Sequence, residues 1–120
     1  MRDYAQEVQQ TLDAALYPLG ITSHHGALKA GTGEAYYVTY DIDTPYVGWA
    51  NDRPILQSVE VDTRYYAKTP PIDSAHLDAL VRAMRADGYM EDGGPYPLPQ
   101  LLPTDYVGVW MRFARVVALE

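Results

Sequence analysis

The 120-residue chain contains no cysteine, which excludes disulfides, thiolate metal sites and a cysteine nucleophile together. That lack is compatible with a reducing cytosol. Lysine is scarce as well: only Lys29 and Lys68 stand beside seven Arg, against sixteen Asp and Glu. The resulting formal charge of -7 leaves a nucleic-acid ligand without its usual electrostatic footprint. Long apolar runs are missing too. Hydrophobic residues make up 48% of the chain, yet no stretch approaches the roughly eighteen residues of a membrane span. The opening MRDYAQEVQQ is polar and helical in pattern, so no secretory h-region is expected there. One soluble domain covering residues 1–120, with a single core, is the expectation from this size and composition.

Catalytic and ligand-binding signatures are also lacking. Adjacent His24 and His25 would point to opposite faces of a strand and so make a poor pair of metal ligands, and His76 is the one other histidine, so surface positions are the default for all three. Asp41, Asp43, Asp52 and Asp62 supply carboxylates but no calcium loop of the EF-hand type. The GTGE segment, Gly31–Glu34, lacks the helix and lysine of a phosphate loop and reads as a hairpin turn. Ser23 beside His24 or His25 has no nucleophile elbow around it. No catalytic residue, metal or cofactor is therefore expected, and the chain is not expected to be an enzyme.

What the sequence does have is clear periodicity. Tyr4, Val8, Leu12, Ala15 and Leu16 fall on one helical stripe after Asp3, a candidate N-cap, and Pro18 stops that helix near Tyr17. Ile21–Leu28 and Tyr36–Ile42 read as strands joined by the glycine-containing turn Lys29–Glu34. From Ile55 onward the odd positions Ile55, Val59, Val61, Thr63 and Tyr65 form an apolar face, while Ser58, Glu60, Asp62 and Arg64 form a wet one. Pro70 and Pro71 end that strand. A second helix follows, capped by Asp73 or Ser74, striped with Leu77, Leu80, Val81 and Met84, and closed by Gly88. Met90–Asp105, rich in Pro and Gly, reads as an irregular excursion, and Val107–Phe113 as a strand inside the sheet. The expected class is α+β: a mostly antiparallel sheet of about four strands with two helices packed on it.

Tyrosine is abundant, eleven residues beside two tryptophans. Tyr36, Tyr40 and Tyr65 fall on core faces. Tyr46, Trp49, Tyr96 and Tyr106 fall in or beside Pro/Gly-rich segments, where burial is harder to arrange and a protein contact surface is the alternative. The segment Asp43–Pro54, read as a long loop, gathers Tyr46, Trp49, Asn51, Asp52 and Arg53, which together with Tyr96 are the candidate interface residues.

Several short signatures occur in a definite order. They are Leu16-Tyr17-Pro18-Leu19-Gly20-Ile21; the Tyr-rich strand Tyr36–Ile42; Asn51-Asp52 ahead of Val59-Glu60-Val61-Asp62; Asp87-Gly88-Tyr89 at a helix end; and Thr104-Asp105 before a strand carrying Arg112-Phe113. In this order the chain resembles the tail terminator, or tail completion, proteins of long-tailed bacteriophages and prophages. The resemblance implies a structural virion protein, made in the host bacterial cytoplasm and placed at the head-proximal end of the tail. It would cap the tail tube as a six-subunit homo-oligomeric ring, monomeric when free if the tube is needed as a template, and stop tube polymerisation. Its partners would be itself, the tail tube protein and a head connector or neck protein, with DNA only as unbound cargo crossing the lumen and no membrane. A head-proximal neck or head–tail joining component is the nearest alternative. A cytosolic small-ligand or regulatory binding domain, which would need a concave pocket with converging polar groups, is the alternative from another class.

Overall fold

A computed structural model describes residues 2–26, 35–68, 72–99 and 106–119. The turn expected at Lys29–Glu34, the break at Pro70–Pro71 and the Thr104-Asp105 signature lie outside the described residues.

Helix α1 (Tyr4–Leu16) begins where the Asp3 carboxylate accepts the Gln6 N–H at 3.0 Å, satisfying one of the free donors of the first turn. Val8, Leu12 and Leu16, one turn apart, are buried. Pro18 then forces a single 3-10 turn over Tyr17–Leu19, and Gly20 closes it in the left-handed region. Strand β1 (Ile21–His25) lies beside β2 (Tyr36–Asp43), which is followed by β3 (Tyr46–Ala50) and the fifteen-residue β4 (Arg53–Ala67). Helix α2 (Ser74–Ala86) is capped by Asp73, whose side chain accepts the Ala75 N–H at 2.9 Å. Its end is a Schellman turn: Tyr89 N–H bonds the Met84 carbonyl and Gly88 N–H the Arg85 carbonyl, both at 3.0 Å, with Gly88 at φ +90°. Two short strands, β5 (Met90–Glu91) and β6 (Tyr96–Leu98), precede β7 (Val107–Ala118).

The class is α+β, with two helices and a seven-stranded mixed sheet in the order β1-β2-β4-β7-β5, β3 adding to β4 and β6 to β7. The expected sheet of about four strands is thus too small, because three short or interrupted strands were read as loop. The sheet is also not wholly antiparallel. β1 runs parallel to β2, with Ile21 beside Tyr36 and His25 beside Tyr40, so these two strands are not the arms of one tight hairpin. As expected, β7 lies inside the sheet, antiparallel to β4 from Val107 beside Ala67 to Ala118 beside Leu56.

Both helices cover one face. Across β2, β4 and β7 that face presents Val38, Tyr40, Val59, Val61, Tyr65, Met111 and Phe113, which pack with Leu80, Met84, Val8, Leu12 and Leu16 in one cluster. Each fully buried aliphatic side chain there contributes about 1.5–3 kcal/mol relative to exposure. The expected stripe on α2 needs one amendment: His76, assigned to the surface, is buried, because it stands one turn before Leu80 and two before Met84. Tyr65 Oη lies 2.7 Å from its Nδ1, and its Nε2 is 3.5 Å from an Asp73 oxygen. Burial pushes the Tyr65 hydroxyl pKa well up, and that of Tyr40 up to about 12; the Tyr40 hydroxyl donates to the Gln9 side chain at 2.6 Å.

The helix-free face has a different character. Tyr106, for which a protein contact surface and burial against the chain's own sheet are both open from the sequence, is buried with Tyr37 and Tyr66 in a separate aromatic cluster. Gly108 makes room for it: a Cβ there would lie 2.7 Å from the Tyr66 ring. Farther along this face come the ion pairs Arg64–Asp41 (3.3 Å) and Arg112–Asp62 (2.9 Å), with Asp43 directly opposite Glu60. Of the positions expected to be wet, Glu60, Asp62 and Arg64 are half-buried, whereas Ser58 is buried between Pro45 and Val116.

Candidate functional site: a projecting hairpin arm

The segment expected to be a long loop, Asp43–Pro54, is instead the distal half of one long hairpin. Asp43 stands opposite Glu60 and Tyr46 opposite Gln57, three steps along each strand, so the register of β2 on β4 carries across Thr44-Pro45 into β3, shifts at Gly48 opposite Leu56 and returns at Trp49 opposite Pro54. At the tip Asn51 and Asp52 have φ of 52° and 61°, the paired left-handed conformation of a two-residue type I′ turn. Asn and Asp tolerate that region better than other residues with a Cβ, which is why this dipeptide can reverse the chain without glycine. β4 spans about 50 Å at 3.4 Å per residue. The helices cover only its later part. The earlier part, with β3 and the end of β7, forms a three-stranded arm.

The arm displays what a folded domain ordinarily hides. Tyr46 is 53% exposed and Trp49 60%, and their rings meet edge to face with centroids 5.9 Å apart. Five of the six candidate interface residues therefore come together: Tyr46 and Trp49 on β3, Asn51 and Asp52 at the tip, and Arg53 at the start of β4. Tyr96 does not join them. It stacks on Trp110 at 5.7 Å from β6, and Trp110 is eight residues along β7 from Ala118 in the arm, about 27 Å away.

Sequence reasoning missed Val47, Ile55, Leu56 and Val116, all exposed large apolar side chains of the arm. The odd-number alternation puts Ile55 on the core face, but the pairing of β3 with β4 is irregular beside it and, among the described residues, no helix lies over that end of the strand. The signal that could have corrected this is the Asn-Asp pair between two β-prone stretches, read as a hairpin turn.

Other constellations bring little chemistry together. Among the described residues no three His, Asp or Glu side chains gather where one ion could be held. His24 lies edge-on to Tyr37, whereas His25 stacks on Tyr40 at 5.1 Å, so the two histidines serve different neighbours. Arg115 lies over Tyr89 at 4.9 Å and donates to the Asp87 carbonyl at 3.2 Å. The Ser23 hydroxyl is buried with no hydrogen-bond partner among the described residues, beside a groove lined by Asp13, Ala14 and Tyr17. Neither place holds an acid–base pair aimed at a common point. Comparison with models of known protein families found no match, and comparison with curated proteins found none.

Proposed function

We propose that this chain is a structural protein of the long-tailed phage tail, a terminator that caps the tail tube as a six-membered ring, halts its growth and offers a docking face to the head connector. The observation that carries the reading is the arm: a hairpin closed by the two-residue Asn51-Asp52 turn, whose exposed Tyr46, Val47, Trp49, Ile55 and Leu56 have no role in the chain's own core. Exposed aromatics clustered on one projecting element suit a contact that is completed by another protein. The order of short signatures along the sequence points the same way. The helix-free sheet face, with Asp41, Asp43, Glu60 and Asp62 against Arg64 and Arg112, suits the lumen, because a net negative wall repels phosphate and lets DNA pass without sticking. The activity needs no chemical step, in keeping with a non-enzymatic role.

The test is direct. Purified protein is mixed with uncapped tail tubes and viewed by negative-stain microscopy. A ring of density at one tube end, with arrest of further growth, is the expected result. Tubes that keep growing and bind no protein overturn the reading.

A further inference from the structure

The arm carries two strand edges that nothing in the described chain covers; elsewhere along the rim the strands are short or carry individual capped backbone groups. On β1, the Ser23 carbonyl is taken by the Gln9 side-chain amide at 2.9 Å. At the junction of β2 and β3, both backbone groups of Thr44 are occupied: its N–H donates to the Asp43 carboxylate at 2.9 Å and its carbonyl accepts from the Gln57 side chain at 3.0 Å. β6 carries Pro97 and follows Pro95. Such capping, short length and proline are how sheets avoid pairing with other chains.

Beyond these points the protection stops. Among the described residues β3 pairs with β4 alone. On the other side of the arm, the last residue of β7 with a strand partner away from β4 is Ala114, opposite Met90. Leu119 N–H donates to the Ile55 carbonyl, so in the alternating antiparallel ladder the backbone groups of Val116 and Ala118 point away from β4. Val116 is 59% exposed, and a groove of about 470 Å³ lined by Gly88, Met90, Ala114, Arg115, Val116 and Val117 runs beside that edge. The charge is also locally low for a chain of -7: β3 has no charged residue, Asp52 and Arg53 offset each other at the tip, and the free part of β7 adds Arg115.

We infer that the outer edge of β3 in one copy pairs with the free edge of β7, Arg115–Ala118, in a second copy, so that neighbouring sheets join through their arms. β3 and β7 both run antiparallel to β4 and hence parallel to each other. Copies related by rotation about an axis roughly along the strands therefore meet in parallel pairing. The two edges lie on opposite sides of one ribbon, so the contact is heterologous and propagates until it closes on itself. Val47 and Trp49 of one copy and Val116 and Met90 of the next then cover one another, while backbone pairing supplies the direction. The inference deepens the ring reading and rests on it only for closure; pairing of edges can be tested alone.

The absence of cysteine makes the experiment clean. Val47→Cys and Val116→Cys proteins are prepared separately and treated, alone and mixed, with a bismaleimide short enough to report adjacent strands yet tolerant of a two-residue slip of about 7 Å. Crosslinked dimer in the mixture, with little in either protein alone, is expected, and the double variant should give a ladder ending at the ring. Equal crosslinking of the single variants would mean a two-fold contact and overturn the inference, as would no crosslink in any sample. Val116→Pro then removes only the outward N–H; it should keep the melting curve and reduce crosslinking between Val47→Cys and a Val116→Pro chain carrying Val117→Cys by about tenfold or more. Val116→Lys serves as a second edge-blocking change should proline disturb the fold. A Val116→Pro protein that still crosslinks normally sinks edge pairing whatever it does to tails. Protein that crosslinks as expected but never arrests tube growth leaves edge pairing standing and sinks the terminator reading.

Discussion

Residues 59–67 and residues 53–57 of β4 belong to one strand, yet they meet opposite fates: burial alternates through the first, and both faces of the second are open. Val59, Val61, Thr63 and Tyr65 are almost fully buried under α1 and α2, whereas Ile55 and Leu56 remain 41% and 36% exposed. The strand does not change; what covers it does. Periodicity fixes which side chains share a face, and only the tertiary arrangement decides whether that face is inside. The covered half should therefore govern stability and the bare half association.

The largest expected effect tests the covered half. Leu80 sits on the buried stripe of α2 in the cluster that includes Val61 and Met111. Leu80→Ala should cost about 2–5 kcal/mol in a urea titration. A loss below about 0.5 kcal/mol would show that α2 does not hold this half of the sheet.

The second prediction addresses the bare half. Trp49→Ala with Arg53→Ala should change stability by no more than about 0.5 kcal/mol, since neither side chain is in the core. Binding to tail tubes should weaken by about 2 kcal/mol or more if the aromatic is an anchor. Tails assembled with this variant that keep a uniform, normal length and join heads would remove the arm from the proposed mechanism.

A smaller, graded effect separates the halves by pH. Burial raises the hydroxyl pKa values of Tyr40, Tyr65, Tyr66 and Tyr89, all in the covered part or the aromatic cluster. The folded state then holds protons that the unfolded state releases. Stability is fully present below the ordinary tyrosine value of about 10 and is lost as pH climbs toward the raised folded values. The fall should begin near pH 10, with Tyr40 contributing about 1.4 kcal/mol per pH unit up to about pH 12. Denaturant titrations of Tyr40→Phe should show a shallower decline, and an unchanged slope would contradict the burial of this hydroxyl.

The smallest effect lies at the tip. Asp52 carries a φ of 61°, which glycine adopts without a Cβ clash. Asp52→Gly, giving the favoured Asn-Gly turn, should leave global stability within about 1 kcal/mol and slow hydrogen exchange at Ala50 and Arg53. Faster exchange there would mean that the arm's register is set elsewhere.

Much of the covered region was legible in the sequence because several local signals agreed. Asp3 and Asp73 cap the two helices, Gly88 closes the second, and Val59, Val61, Thr63 and Tyr65 face the core. The arm was harder to read. Pro45, Gly48 and Pro54 looked like loop punctuation, although Pro45 still accepts a ladder bond from Ser58 through its carbonyl and Pro54 sits opposite Trp49 in the hairpin. A proline lacks only its donor, and on an edge that lack does not break a ladder. The parallel placement of β1 and the short β5 and β6 depend on pairings with β2 and β7, which no local pattern encodes. The same holds for His76, whose burial follows from where α2 lands.

The separation of β4 from β7 by the whole of α2 carries a kinetic consequence. The hairpin from Tyr36 to Ala67 closes around a two-residue turn and can zip from its own tip, whereas β7 must find β4 across roughly forty intervening residues. The hairpin is therefore expected in the folding nucleus and β7 to dock late. Conservative truncations on β7, such as Met111→Ala, should mainly accelerate unfolding, while Val38→Ala on β2 should mainly slow folding; stopped-flow chevrons of the two would read this directly. Until β7 arrives, Val59, Val61 and Tyr65 expose an open backbone flank. That interval is when crowding by other copies would do most harm to the yield of folded protein.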